Sequence, residues 1–361
     1  MRYLTSIFLV LLVVCQPTKS FADSKTAKIG VLLCFSGDCV EWGTNALRGV
    51  QLAAEKLNRR GGVLGRKVKL VVQDSTDAAL TSSVPALRTL VSDQEISFIV
   101  GPSLAVGGGS IASLVARMQD LNMISPSVGD RQFNESAGNI FSVWPHDELA
   151  PRALAQYAIR HGWRRAAIFG GQEPSSVIQA KMFSQEFVRL GGMVVLKVTP
   201  LLRSRDLQAE VSKIKSAKPD FVLLLSNQAD LVATEFGTGG YSPPIVALQM
   251  EKARVLAAHG ALEGSVFPML DRPKAEFVQS FIEKFGEFPG PSADTAYDAM
   301  MLYATAVQNV QSFDAVKVRA ALHAIKDYQG ASGTFSMDEK GAVDKKPVLW
   351  RFKGGEYERV E

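Results

Sequence analysis

Little in this chain is equipped for covalent chemistry. Its 361 residues include 3 cysteines and 4 histidines. His146, His161, His259 and His323 are scattered, with no carboxylate or cysteine at ligand spacing, so no metal site is expected and all four read as structural or surface residues. The chain has no Gly-x-Ser-x-Gly elbow, no His-Glu-x-x-His, no Gly-Lys-Ser or Gly-Lys-Thr phosphate loop and no Cys-His cluster. An enzyme is therefore not expected, nor is a cofactor. An excess of one charge is lacking too, the formal balance being +4. Arg59-Arg60, Arg164-Arg165 and Lys345-Lys346 are isolated pairs that read as solvated surface, which argues against a nucleic-acid partner. Low-complexity segments are absent. Beyond the first residues, no apolar run is long enough for a transmembrane helix.

The N-terminus carries the first positive signal. Arg2 precedes the apolar run Ile7 to Val14, and Ser20-Phe21-Ala22 sets small residues at −3 and −1 before Asp23. That grammar predicts a secretory signal over residues 1–22 and export to the periplasm, the apolar stretch being too short to span a bilayer. Leu12-Val13-Val14 lacks the small residues of lipoprotein processing, so Cys15 should leave with the signal. Cys34 and Cys39 then remain. In an oxidising compartment they suit a small-loop disulfide, with two free thiols as the alternative. The roughly 340 residues after cleavage exceed what one core usually serves, which points to two domains.

Short β-branched runs alternate with longer amphipathic ones. Ala27 to Leu33, Lys67 to Gln73, Ile96 to Val100 and Met123 to Ser125 read as strands. Asn45 to Asn58, Leu80 to Ser92 and Ile111 to Leu121 read as the helices between them, which is the order of a parallel sheet covered on both faces. Near Val143-Trp144-Pro145 the alternation restarts, with strands at Arg165 to Phe169, Met193 to Thr199, Phe221 to Leu225 and Ile245 to Leu248. Two runs of similar size argue for two similar lobes. Asp271-Arg272-Pro273 reads as a further crossing, before helices at Lys274 to Phe285 and Ala293 to Val310 and a last strand at Val348 to Phe352.

Several segments carry a resemblance. They are Lys28-Ile29-Gly30-Val31 with Ser36-Gly37, Gly61-Gly62-Val63-Leu64-Gly65-Arg66, Val71-Val72-Gln73-Asp74 and Phe98-Ile99-Val100-Gly101-Pro102. Lys218-Pro219-Asp220-Phe221-Val222, Tyr297-Asp298-Ala299 and Gly333 to Gly341 complete the ordered set. With them the chain resembles the leucine-isoleucine-valine-binding group of periplasmic solute receptors that serve ABC importers. The resemblance implies the type I periplasmic binding fold: α/β, with two similar lobes, each a parallel-type sheet flanked by helices, joined by three crossovers. The expected division is 23–144 plus 273–333 for lobe 1 and 145–272 plus 334–361 for lobe 2. It further implies a monomer that captures a small polar or amphipathic solute by cleft closure and delivers it to an ABC permease with its ATPase. The solute would be an amino acid, amide or carboxylic acid. A sensory module, or a scaffold that no longer binds, are the alternative readings.

The cleft can be populated residue by residue. Gly101 to Ser110 follows a strand and opens a helix, so its glycines allow close backbone approach and the helix N–H groups favour an anion. The resemblance places the carboxylate of an amino acid in this loop, at Ser103, Ala105, Val106 and Gly107, with Ala105 or Val106 where a ligand-binding serine is usual. It assigns Ser127, Val128 and Gly129 to the ligand's ammonium and carboxylate, Gly129 standing where the family usually has Thr or Ser. In the opposite lobe Ser175 and Asn227 stand where aromatics are common, and Gln249 near a usual acid, with Glu251 close by. Trp42 matches an aromatic that lies over the ligand, on a loop after the first strand. Phe267 reads as core.

Overall fold

The computed structural model describes residues 25–36, 39–75, 83–93, 95–103, 105–172, 174–201, 204–225, 228–238, 240–248 and 252–360. The expected signal at 1–22 lies outside them. Among the described residues no helix is long and apolar enough to cross a membrane.

The first run of the chain holds strands β1 (Thr26–Leu33), β2 (Lys67–Asp74), β3 (Phe98–Val100), β4 (Asn122–Ser125) and β5 (Ile140–Ser142), with helices α1 (Val40–Arg59), α2 (Ser83–Ser92), α3 (Ala105–Val115) and α4 (Arg131–Glu135) between them. The second holds α5 (Leu149–Arg160), β6 (Arg165–Phe169), α6 (Pro174–Arg189), β7 (Met193–Val198), α7 (Gln208–Ala217) and β8 (Phe221–Leu224). It continues through α8 (Ala229–Thr238), β9 (Ile245–Ala247), α9 (Lys252–Ala257) and β10 (Val266–Met269). Helices α10 (Ala275–Phe285), α11 (Ala293–Val310) and α12 (Ala315–His323) follow, then β11 (Tyr328–Gly330), β12 (Gly333–Phe335), β13 (Val348–Lys353) and β14 (Glu356–Arg359).

The strands form two large sheets, ordered β2-β1-β3-β4-β5 and β14-β13-β10-β9-β8-β6-β7. Every pairing in the first is parallel, while β13 joins β10 and β14 antiparallel in the second. Strand alternation divides the apolar residues between two faces. Ile29, Val31, Leu33, Phe98, Val100, Ile124 and Phe141 enter one core, and Leu32, Ile99, Met123 and Ile140 the other. The second sheet repeats the device, with Phe169, Val222, Leu224 and Ala247 on one side and Ile168, Phe221, Leu223 and Val246 on the other. Apolar runs without polar alternation are what a sheet buried on both faces requires.

Helices α10 to α12 return to the first sheet. Phe277, Phe281, Tyr297, Met300 and Leu322 share the core of Ile29 and Phe98. Gly49 lets α1 and α11 touch backbone to backbone, since a Cβ there would collide with the Ala293 carbonyl. Phe335, Met337 and Val343 stay in the same core, about ten residues beyond the expected boundary at 333. The chain returns to the second sheet only with β13.

Candidate functional site

Open parallel sheets bind ligands beyond the carboxyl ends of their strands. In the first sheet those ends are sewn together by short polar side chains. Ser103, 1% exposed after β3, accepts the Cys34 N–H on its hydroxyl at 3.0 Å, and its carbonyl accepts the Ser127 hydroxyl at 2.8 Å. Ser125, the last residue of β4, donates to the Pro102 carbonyl at 2.7 Å and accepts from the N–H groups of Ser127 and Val128. Ser142, the last residue of β5, donates to the Val128 carbonyl at 2.6 Å and accepts the Trp144 N–H. The Asp147 N–H donates to the Gly129 carbonyl at 3.0 Å. Each such bond contributes about 1 kcal/mol net. Together they hold the loops after β1, β3, β4 and β5 as one surface.

Two tryptophans border it. The rings of Trp42 and Trp144 meet edge to face, 5.5 Å apart, and the Trp42 carbonyl accepts the Ser292 hydroxyl. Trp42 is not on a loop as expected. It lies in the first turn of α1, because the 34–39 segment is short and the helix begins at Val40. Cys34 and Cys39 form a disulfide that closes this segment, with Cα atoms 5.9 Å apart.

The glycine-rich stretch also differs from the expected loop. Helix α3 begins at Ala105, so Ala105, Val106 and Gly107 are helical and do not belong to a loop. Ile111, Ala112 and Val115 pack into the core beneath the sheet. That packing fixes the helix register and carries the first turn back through the small residues, overriding the low helix propensity of glycine. The helix then ends at Val115, not Leu121, and the chain closes in tight turns at Arg117, Met118 and Leu121.

Gly129 has a specific reason to be glycine. A Cβ there would run into the Asp147 carboxylate and the Pro145 carbonyl. Burial, and to a smaller degree the nearby Asp130 carboxylate, push the Asp147 carboxyl up to about 7. Its neighbours' charges are committed elsewhere: Arg131 pairs with Glu148 at 2.6 Å, and Glu148 is held below the usual range by that guanidinium. His146, buried beside it, faces Asp338 at 3.9 Å.

In the second sheet the corresponding strand ends carry less that can be described. The Gly171 N–H donates to the buried Ser176 hydroxyl at 2.8 Å, and Gln172 reaches the Pro200 carbonyl. Ser175 lies in the first turn of α6, and its side chain is outside the described residues, as are those of Ala105 and Val106. Asn227, Gln249 and Glu251 lie outside them altogether. Of the candidates, then, Ser103, Ser127, Val128 and Gly129 share one hydrogen-bonded surface with Cys34, and Trp42 reaches it through Trp144. Sequence reasoning named Ser125 only as the start of the strand end running to Gly129, and missed Ser142, Trp144 and Asp147. The cue was Trp144-Pro145-His146-Asp147, a run of large and ionisable residues where a plain connection would have served. Phe267 is core, as expected.

No group of three or more His, Cys, Asp or Glu residues able to hold a metal occurs among the described residues. Two surface grooves, of about 710 and 410 Å³, lie away from these loops, around Glu55 and Lys284 and around Lys56 and Tyr297.

Comparisons with known proteins agree on the fold. A Leu/Ile/Val-binding protein homologue of Brucella melitensis is 26% identical over 364 residues, covering 90% of this chain and 88% of its own. A leucine binding protein of Thermotoga maritima superposes with a TM-score of 0.83 at 24% identity, over 93% of this chain and 98% of that one. An ABC-transporter solute binding protein of R. palustris, solved with benzoate, gives a TM-score of 0.80 at 20% identity, over 93% and 95%. The family model described as periplasmic binding protein matches residues 26–353, nearly the whole described chain. The chain thus belongs to the periplasmic binding protein family, a class that binds solutes and is not catalytic.

Proposed function

We propose that this protein captures a small solute between two lobes outside the cytoplasm and hands it to an ABC permease driven by its ATPase. The observation that carries this reading is the hydrogen-bonded surface formed by Ser103, Ser125, Ser127 and Ser142 at the carboxyl ends of the first sheet, where such sheets present ligands. One lobe comprises the first sheet with α10 to α12 and the β11–β12 hairpin, and the other the second sheet. The chain would cross at 143–147, near 270–274 and again at 344–347. Residues 1–22 serve as the export signal, and the mature protein acts as a monomer.

Relatives widen the range of solutes worth testing, since one bears the name leucine binding protein and another was solved with benzoate. Ligand held first by the Ser103–Gly129 surface is then engaged by the second lobe, through Ser175, Asn227 and Gln249. It favours the closed form only by its differential affinity for it. The test is a thermal-shift screen of the mature protein, refolded to strip carried-over ligand, against amino acids, amines, amides, and aliphatic and aromatic acids. A solute at a thousandfold excess over its Kd should add about 4 kcal/mol of stability. Absence of any shift across that panel would count against the receptor reading.

A further inference from the structure

We propose that the Cys34–Cys39 disulfide is a positioning element of the solute site. It fixes the start of α1, and with it the Trp42 ring, against the strand ends where the solute would rest. This deepens the receptor reading above and rests on it. The case begins with where Cys34 stands. β1 lies between β2 and β3, so the residue that follows it occupies the middle of the strand-end surface. Cys34 is buried there, and its N–H is the donor held by the Ser103 hydroxyl after β3. On the other side, the Phe35 N–H donates to the Asp74 carboxylate at the end of β2, at 2.9 Å. One half of the disulfide is thus built into the ends of β1, β2 and β3.

The other half stands where a capping side chain is usual. Cys39 is the N-cap of α1, and its side chain makes no capping hydrogen bond. A Ser, Thr, Asp or Asn at that position accepts a backbone N–H and fixes the first turn. Here a covalent tie takes over the task, joining residues 5 positions apart. The first turn then presses onto the same cysteine, since a Cβ on Gly43 would collide with the Cys34 carbonyl. Trp42 precedes that contact by one residue. Its half-buried ring meets Trp144 at 5.5 Å, and its carbonyl accepts the Ser292 hydroxyl. A shift of the α1 start would therefore move the aromatic border of the surface and leave the sheet beneath it in place.

So short a loop constrains the unfolded chain only modestly, which puts the weight of this disulfide on local geometry. A side chain held in its bound place before the solute arrives removes an ordering cost from binding. For one large ring that is worth up to about tenfold in affinity.

The experiment compares the mature protein, refolded with its disulfide formed, with Cys34→Ala/Cys39→Ser, in which the serine can cap α1. Near-ultraviolet circular dichroism reads the Trp42–Trp144 pair without any solute, with Trp42→Ala as the reference for its loss. Calorimetric titration with the screening panel, leucine and benzoate first, reads affinity. The double variant should keep its far-ultraviolet spectrum and melt about 3–6 °C lower. It should lose most of the tryptophan-pair signal and bind about tenfold more weakly. In a Trp42→Ala background the same two substitutions should weaken binding less than about twofold, because the disulfide acts through that ring. Should the double variant fail to fold, reduction of the folded parent with a phosphine carries the same comparison. An unaltered near-ultraviolet spectrum overturns the proposal, as does unaltered affinity. So do losses that simply add in the triple variant, which mark a disulfide serving the fold alone. In each of these cases the receptor reading survives. A parent that binds no solute of the panel sinks the proposal together with that reading.

Discussion

Two segments that lead from the first sheet to the second each bury charge, and they treat it in opposite ways. On 344–347, Lys345 is 8% exposed and donates its ammonium to the Ser332 hydroxyl, which in turn donates to Asp298. Asp298 also accepts the N–H groups of Ala331 and Ser332, at 2.6 and 2.8 Å. The ammonium lies 4.3 Å from the centre of the Phe335 ring, and buried Asp294 adds a second carboxylate. Burial lowers the lysine to about 8 and raises Asp294 to about 6, and each is pulled back by its opposite charge. On 143–147, Asp147 has a like charge for a neighbour and no such partner among the described residues. The first cluster is closed on itself and serves the fold. The second is left open beside the strand ends of the first sheet, at a cost in stability.

The comparison can be broken most forcefully at its closed end. Lys345→Met should leave the Asp298 carboxylate buried without its cation and cost about 3–5 kcal/mol in denaturant unfolding. A loss below about 1 kcal/mol would mean that the cluster is not held by its charges. Ser332→Ala removes the hydroxyl that links ammonium to carboxylate, and should cost about 1–3 kcal/mol by the same measurement.

At the open end the sign reverses. An aspartate raised in the folded state adds stability that is complete below the ordinary aspartate range and is lost as pH climbs through about 7. Asp147→Asn escapes that loss. Its melting temperature should match the parent near pH 4, pull ahead between pH 4 and 7, and stay ahead above. Because the carboxylate is partly exposed, a gain of about 2–4 °C is the expected scale, corresponding to roughly 1 kcal/mol. Equal melting at pH 8 would mean that the carboxylate is already satisfied.

The smallest effect should come from Ser127→Ala, which removes the hydrogen bond to the Ser103 carbonyl. It should cost about 1 kcal/mol or less, because the Ser127 side chain is only half-buried and water can take the place of its hydroxyl, while weakening solute binding. Unaltered binding would remove Ser127 from the site.

Much of the fold was legible residue by residue. Arg165 to Phe169 and Ala293 to Val310 have the bounds expected from their patterns, and the two-sided apolar strands point to covered sheets. What escaped is equally instructive. β10 carries Pro268 and meets β9 at a single position, Val266 against Val246, so its signal lies in pairing with β13 and not in its own composition. β5 is only three residues long, and its neighbour on the ladder is β4. The short helices α4 and α12 each rest on an aspartate cap, Asp130 and Asp314. Such a cap signals a helix start only when the apolar face that follows is long enough to notice.

The site divides along the same line. Local order alone located Ser103 and Ser127 at strand ends, since a parallel sheet must present those turns on one edge. The sequence by itself determined the alternation of apolar strands and helices, the two successive runs, and a hydroxyl-rich edge with Gly129 on it. Only the tertiary structure decided that α3 takes in Ala105 to Gly107, that Trp42 touches Trp144, and that the Asp147 carboxylate rests on Gly129. The physical reason is separation along the chain. Periodicity and capping act over a few residues, whereas these contacts join segments 18 to 102 positions apart. Such contacts exist only once the sheet has brought its strand ends together.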